Sequence, residues 1–360
     1  MTKQMFIHEL KVALAQVDIN TRDEIIADIS EHFTEGAAQG LSEGDICRGL
    51  GQPGSIAEQV LAEMGSQVSQ QTSTQTPPPS QAQHNDPHHE YRYRKGQDLD
   101  ESFADVNHVT VNLEISNLHL LPSPTGEFRV VIHGVSEKES CSANLNNGNL
   151  TVTVKRAWRL FNFSFGKSKV ETTIYVPAQF AGEIKVDSSV GNITANNTSG
   201  ELKLDTSAGN VTINGHSCNR IHADTAAGNV SVRLANSYVD YVHIDTSAGN
   251  VDFEAQETGY LNVDTSAGGI NARVTKISGE TKLDTSAGSV KLTAQQVAGN
   301  ITLDTSAGSI KVYLPADANC RIDARKPSVG SLHNEITGNP QSPYTLRADS
   351  SVGSIHLKAL

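Results

Sequence analysis

Seven aspartates, Asp187, Asp205, Asp224, Asp245, Asp264, Asp284 and Asp304, each open a near-identical unit of the form Asp-Thr-Ser-Ala-Gly. They recur at intervals from 18 residues (Asp187 to Asp205) to 21 residues (Asp224 to Asp245), the length of one solenoid coil. A carboxylate repeated at that period has two chemical uses. It can accept from the amides that follow it, as an Asx-type turn. It can also join the carboxylates of the coils above and below as oxygen ligands of a cation such as calcium. Stacked coils lie about 4.8 Å apart, where two unit charges repel by roughly 1 kcal/mol in water and by about 3.5 kcal/mol at an effective dielectric of 20. Amide donors or a bound cation would offset that repulsion. The calcium-binding Gly-Gly-x-Gly-x-Asp pattern is absent from the sequence. Gly191, Gly209, Gly228, Gly249, Gly268, Gly288 and Gly308 stand fifth in the same units, which predicts a positive φ at each turn.

Few other residues are spaced for chemistry. His84, His88 and His89 stand near Asp86 and Glu90, a set suited to weak transition-metal binding but without a fixed scaffold. Tyr91-Arg92-Tyr93-Arg94-Lys95 is a short basic-aromatic run. Further on, Trp158, Arg159, Phe161, Phe163 and Phe165 lie among Lys155, Arg156, Lys167 and Lys169. Two readings of that segment stay open: a packed hairpin whose aromatics cap the fold, or a contact surface for a membrane or a partner. Cys47, Cys141, Cys218 and Cys320 show no paired spacing and read as isolated thiols of a reducing compartment. No Ser-His-Asp, zinc or P-loop pattern appears, so no catalytic residue, metal site or cofactor is predicted.

The elements that carry the aspartates are short strands. In Leu202-Lys203-Leu204-Asp205 the leucines share one face, and beyond the turn Val211 and Ile213 flank polar Thr212. This period of two means one buried face, and Ile301-Thr302-Leu303-Asp304 with Ile310-Lys311-Val312 repeats it. Identical residues recur once per coil rather than once per hairpin, which favours a parallel β-solenoid over residues 181–360. Degenerate copies at Ser328-Val329-Gly330 and Asp349-Ser350-Ser351-Val352-Gly353 end it. Residues 101–180 hold non-identical strands around Val109–Leu113, Phe128–Ile132 and Leu150–Val154. They read as irregular first coils and a cap over an edge that would otherwise pair with another chain.

Residues 1–65 read instead as short helices. Phe6, Leu10 and Leu14, then Ile25, Ile29 and Phe33, recur at helical spacing. Thr21 and Glu24 offer a capping box, and Ser42 caps a helix that ends at Gly51. Pro53-Gly54 reads as a turn before a last helix capped by Ser55. The remaining face is acidic, with Asp23, Glu24, Asp28, Glu31, Glu35, Glu43 and Asp45; it is either solvated or a dock for a basic partner. Residues 66–100 are a disordered linker rich in Gln, Ser, Thr and Pro. The net charge of -12 argues against nucleic-acid binding. No signal peptide and no run of about 18 apolar residues is present, so the expectation is a cytoplasmic protein, with membrane association left to the Trp158–Phe165 segment.

The N-terminal stretch resembles the HAAS-type helical domain of bacterial membrane-associated signalling proteins. The likeness lies in Phe6-Ile7-His8-Glu9-Leu10, Glu24-Ile25-Ile26-Ala27-Asp28 and Leu50-Gly51-Gln52-Pro53-Gly54-Ser55-Ile56-Ala57. It implies a regulatory or assembly module, often associated with PadR-type transcription regulators. The repeats, with Thr173-Ile174-Tyr175-Val176-Pro177 before them, resemble the bacterial putative-adhesin β-strand-repeat family of unknown function. That resemblance implies a β-solenoid linked to envelope stress or regulatory operons, and no catalytic residues. Together these point to a non-enzymatic scaffold or interaction protein in envelope-associated signalling, its helical domain docking a regulator or envelope protein. The alternatives are a polymerising or adhesin-like solenoid and, further off, a β-helix polysaccharide lyase, which would need long loops over one face.

Overall fold

The computed structural model describes residues 1–17, 22–23, 25–26, 29–30, 33–34, 37, 42–57, 94–156, 170–215 and 219–360. The chain divides into two compact units, residues 1–89 with 157–167, and residues 90–156 with 168–360.

In the first unit, Thr2 caps the helix Lys3–Ala13 by accepting from the Met5 amide at 3.3 Å. Ser42 does the same for the helix Glu43–Leu50, accepting from the Asp45 amide at 3.2 Å. Gly51 ends that helix at φ +80, a conformation that favours glycine. The apolar stripes meet as predicted, with Phe6, Leu10, Leu14, Ile25, Ile29, Phe33, Ile46 and Leu50 in one buried cluster. One prediction needs correcting. Helix resumes at Pro53 rather than after a turn there, because proline's fixed φ and missing N–H suit the first helical position. The Thr21–Glu24 capping box lies outside the described residues.

The second unit is a parallel β-solenoid. Glu201–Ala208 pairs in parallel with Glu183–Val190 on one side and Arg220–Ala227 on the other. Past each corner, Val211–Asn214 pairs with Ile193–Asn196 and Val230–Ala248. Like lies over like: Asp205 opposes Asp187 and Asp224, and Asp264 opposes Asp245 and Asp284. The core between the limbs is columns of inward residues, such as Val186, Leu204, Ala223, Ile244, Val263, Leu283 and Leu303, all buried. Volumes alternate where they must, and Phe253 lies over Ala272.

Chain order is not spatial order at either end. Glu183–Val190 stacks on His108–Leu113, whose other side holds Asn149–Arg156. Ile193–Asn196 likewise stacks on Asn117–Pro122, with Glu171–Val176 beyond. Antiparallel strands then finish this end: Leu99–Phe103 with Phe128–His133, and the hairpin Glu139–Asn146 with Asn149–Arg156. Its Asn147-Gly148 turn has both residues at positive φ, the geometry that matches strand twist. At the far end, Thr345–Val352 stacks on Ile301–Ala307, leaving the earlier segment Arg321–Ala324 outside it.

Candidate interaction surface

The strand face that points away from the core carries side-chain columns with one residue per coil. The aspartates make the longest, and Asp349 extends it beyond Asp304. They stand inside strands and not at turns, which corrects the expected Asx role. Within Glu201–Ala208 the alternation runs unbroken: Asp205 exposed, Thr206 buried, Ser207 exposed. The corner proper is Gly209-Asn210. Burial raises the carboxyl pKa of Asp284, and the Asp264 charge adds to it. Burial also raises that of Asp304, helped by Asp284 and Asp349. Lys282 Nζ stands 3.8 Å from Asp284, and an Arg347 nitrogen 3.9 Å from Asp349, so cations two residues upstream partly offset the repulsion.

Three other positions hold the corner together. From the third coil on, buried threonines donate to the glycine carbonyl of the preceding coil: Thr225 to Gly209, Thr246 to Gly228 and Thr265 to Gly249 at 3.2 Å, and Thr305 to Gly288 at 2.9 Å. The glycines are required by close approach rather than by handedness. Only Gly191 of the seven has a left-handed φ, +147, whereas a Cβ on Gly228 or Gly249 would sit 1.9 Å from the glycine carbonyl oxygen one coil below. Asparagines then run as a ladder. Asn192 Oδ1 accepts from the Asn210 amide at 3.0 Å, Asn210 from Asn229 at 2.9 Å, and Asn229 from Asn250 at 2.9 Å. This ladder went unrecognised in the sequence, although Asn follows Gly in four units.

Beside the aspartates runs a mixed column of Lys203, His222, His243, Asn262 and Lys282. The His222 and His243 rings stack with centroids 4.8 Å apart. His222 Nε2 is 2.9 Å from Asp224 Oδ2, and Asn262 Nδ2 donates to His243 Nδ1 at 3.0 Å. One donor atom each from His222, Asp224 and His243 lie within 4.8 Å of one another. One column further, Tyr241 and Tyr260 stack at 4.9 Å with ring planes 7° apart, and the Arg220 guanidinium lies 5.3 Å from the Tyr241 ring centre.

Trp158, Arg159, Phe161, Phe163 and Phe165 lie outside the described residues, as do His84, His88, His89 and Tyr91–Tyr93. Arg94 pairs with Glu101. Cys141 and Cys320 are buried, which pushes both thiols up to about 11. A cleft of about 470 Å³ opens at the capped end between Phe103, Phe128 and Phe180. No helix among the described residues is long and apolar enough to cross a membrane.

The HAAS family model matches residues 6–66, and the Toastrack DUF4097 model matches residues 106–343. No curated protein matches the sequence. Among solved structures, a putative adhesin from Bacteroides fragilis is 14% identical, with 73% of this chain and 97% of that one covered and a TM-score of 0.40. A putative adhesin from Parabacteroides merdae gives 14%, 73%, 97% and 0.32. A putative cell adhesion protein from Clostridium sporogenes gives 13%, 74%, 100% and 0.25. Likenesses that loose assign neither a function nor a partner to this chain. The in-register coils and the match over residues 106–343 together make this chain a member of the Toastrack DUF4097 family, with a HAAS domain at its N-terminus.

Proposed function

We propose that the protein is a non-enzymatic interaction scaffold in envelope-associated signalling or regulation. The HAAS domain docks a protein partner, of which a PadR-type regulator or an envelope protein is the leading class. The solenoid presents a rigid, ordered surface to a second. One observation carries this reading: the exposed face is a continuous array of in-register ladders, and its repeated glycine corner closes in two residues, as Gly209-Asn210 does between strands. Among the described residues the connections between coils from Glu201 to Leu314 are short, unlike the long loops that build a catalytic cleft on a β-helix, and stacked Tyr241 and Tyr260 suit protein contact. On the helical unit, Asp23, Glu43 and Asp45 are solvent-facing and complement a basic partner. Val12, 64% exposed on the first helix, adds an apolar contact.

A photo-crosslinker in place of Val12 in the full-length chain tests the docking half in cells. One discrete adduct, lost when Asp23, Glu43 and Asp45 become Asn or Gln, is expected; no adduct under any growth condition would remove the docking role. Polymerisation is the second reading. The outermost strands at the far end, Arg321–Ala324 and Leu332–Asn334, are short with Pro327 between them, and such edges pair poorly. Filaments seen by microscopy at micromolar concentration would reverse that preference.

A further inference from the structure

We propose that His222, Asp224 and His243 form a binding site for a borderline divalent transition-metal cation of the zinc class, clipping one coil to the next. The three side chains come from adjacent strands of the stack, since His222 opposes His243 and Asp224 opposes Asp245. Two imidazoles and a carboxylate are a donor set that suits zinc and its neighbours rather than calcium or magnesium, which take oxygen. Donors about 2.0–2.1 Å from a zinc ion in tetrahedral geometry lie roughly 3.4 Å apart. The present separations, 2.9 Å between His222 Nε2 and Asp224 Oδ2 and at most 4.8 Å across the set, bracket that value.

Two orphaned atoms point the same way. Asp224 Oδ1 and Asn262 Oδ1 are buried and have no hydrogen-bond partner among the described residues. A cation satisfies the carboxylate. Asn262 now donates through Nδ2 to His243 Nδ1, and a flip of its amide would set the orphaned Oδ1 against that nitrogen. His243 then carries its proton on Nδ1 and offers Nε2, the outer-shell arrangement that orients metal-bound histidines. Neutral imidazoles are the ligating form. Asp245, which opposes Asp224, adds negative charge, whereas Lys203, which opposes His222, adds positive charge. His222 and Asp224 side chains are 31% and 37% exposed, so the ion enters from solvent and keeps an open coordination position.

The test is zinc titration of the full-length chain against a chromophoric chelator at pH 7.5. It uses a His84→Gln, His88→Gln, His89→Gln background that removes the linker histidines. One equivalent should bind at micromolar dissociation constant or tighter. His243→Gln and Asp224→Asn should each weaken binding at least tenfold while the metal-free protein still unfolds in one cooperative transition. Cobalt(II) should give visible absorption bands that vanish in His243→Gln. Binding that survives a His222→Gln, His243→Gln double variant, or that disappears in the linker background alone, would overturn the assignment. So would no binding below about 100 µM. If His243→Gln melts early without metal, Asn262→Leu serves as the second variant: it spares all three ligands and should still weaken zinc several-fold, and unchanged affinity there counts against the site.

Discussion

The Thr246 hydroxyl donates to the Gly228 carbonyl oxygen, 3.2 Å away on the neighbouring coil. The hydroxyl sits where water cannot reach it, since Thr246 is fully buried. Thr281 is buried as deeply, between Leu261 and Ile301 in an apolar column, yet its hydroxyl has no partner among the described residues. The same isosteric change should therefore have opposite signs. Thr246→Val should destabilise by about 1 kcal/mol, and Thr281→Val should stabilise by roughly that amount. Urea melts of the two variants at equal m-value decide it.

Gly268 and Gly269 are adjacent but have different reasons to be glycine. A Cβ on Gly268 would meet the Gly249 carbonyl oxygen at 1.9 Å, whereas one on Gly269 finds nothing nearer than the Ser289 carbonyl oxygen at 3.4 Å. Gly268→Ala should cost about 3 kcal/mol or more. Gly269→Ala should be neutral or stabilise by up to about 1 kcal/mol, through the unfolded chain. Gly269→Asn should do better still, because it carries the asparagine ladder one coil past Asn250, which already accepts from the Gly269 amide. Thermal melts of the three variants check the order.

Acid should affect the aspartate column in the direction opposite to ordinary ion pairs. Burial and a like charge raise the Asp284 carboxyl above its usual 3.8. Between the unfolded and folded values the native state holds more protons, so this group's contribution falls as pH rises through that window. Asp284→Asn should stabilise at neutral pH, by about 0.5 kcal/mol on the scale of like-charge cross-strand pairs, and the gain should vanish below the unfolded value. Glu257 behaves conversely. Its hydrogen bonds from Lys276 and Ser278 lower its carboxyl, so Glu257→Gln should destabilise at neutral pH, with the difference lost as pH falls. Stability measured against pH for both variants separates the two signs.

The stack was legible because self-similarity needs no knowledge of packing. Once Asp205, Asp224 and Asp245 are seen to recur, parallel coils follow. Thr206 faces inward by alternation with Leu202 and Leu204, but the Asp-Thr-Ser-Ala-Gly composition reads as a turn and hides the strand continuing through it. The end coils were not legible. Asp187's strand stacks on His108–Leu113, and Thr345–Val352 bypasses Arg321–Ala324. Non-identical strands carry no repeat from which partners can be matched. The His222–Asp224–His243 cluster depends on register across 21 residues (222 to 243), so it appears only after the coils are aligned.

Every ladder on the solenoid requires neighbouring coils to be parallel and in register, and an engineered disulfide reads that directly. Ser247 and Ser266 are exposed and lie between the opposed pairs Thr246–Thr265 and Ala248–Ala267. Their Cα atoms should be about 4.8 Å apart, within disulfide range. In a Cys218→Ser background the native Cys47, Cys141 and Cys320 are buried, and burial holds the thiols of the last two near 11. Ser247→Cys with Ser266→Cys should close fully under mild oxidation of the folded protein. Ser247→Cys with Ser286→Cys, two coils apart at roughly 9.6 Å, should remain open; closure of that second pair, or failure of the first, would contradict the stacked register.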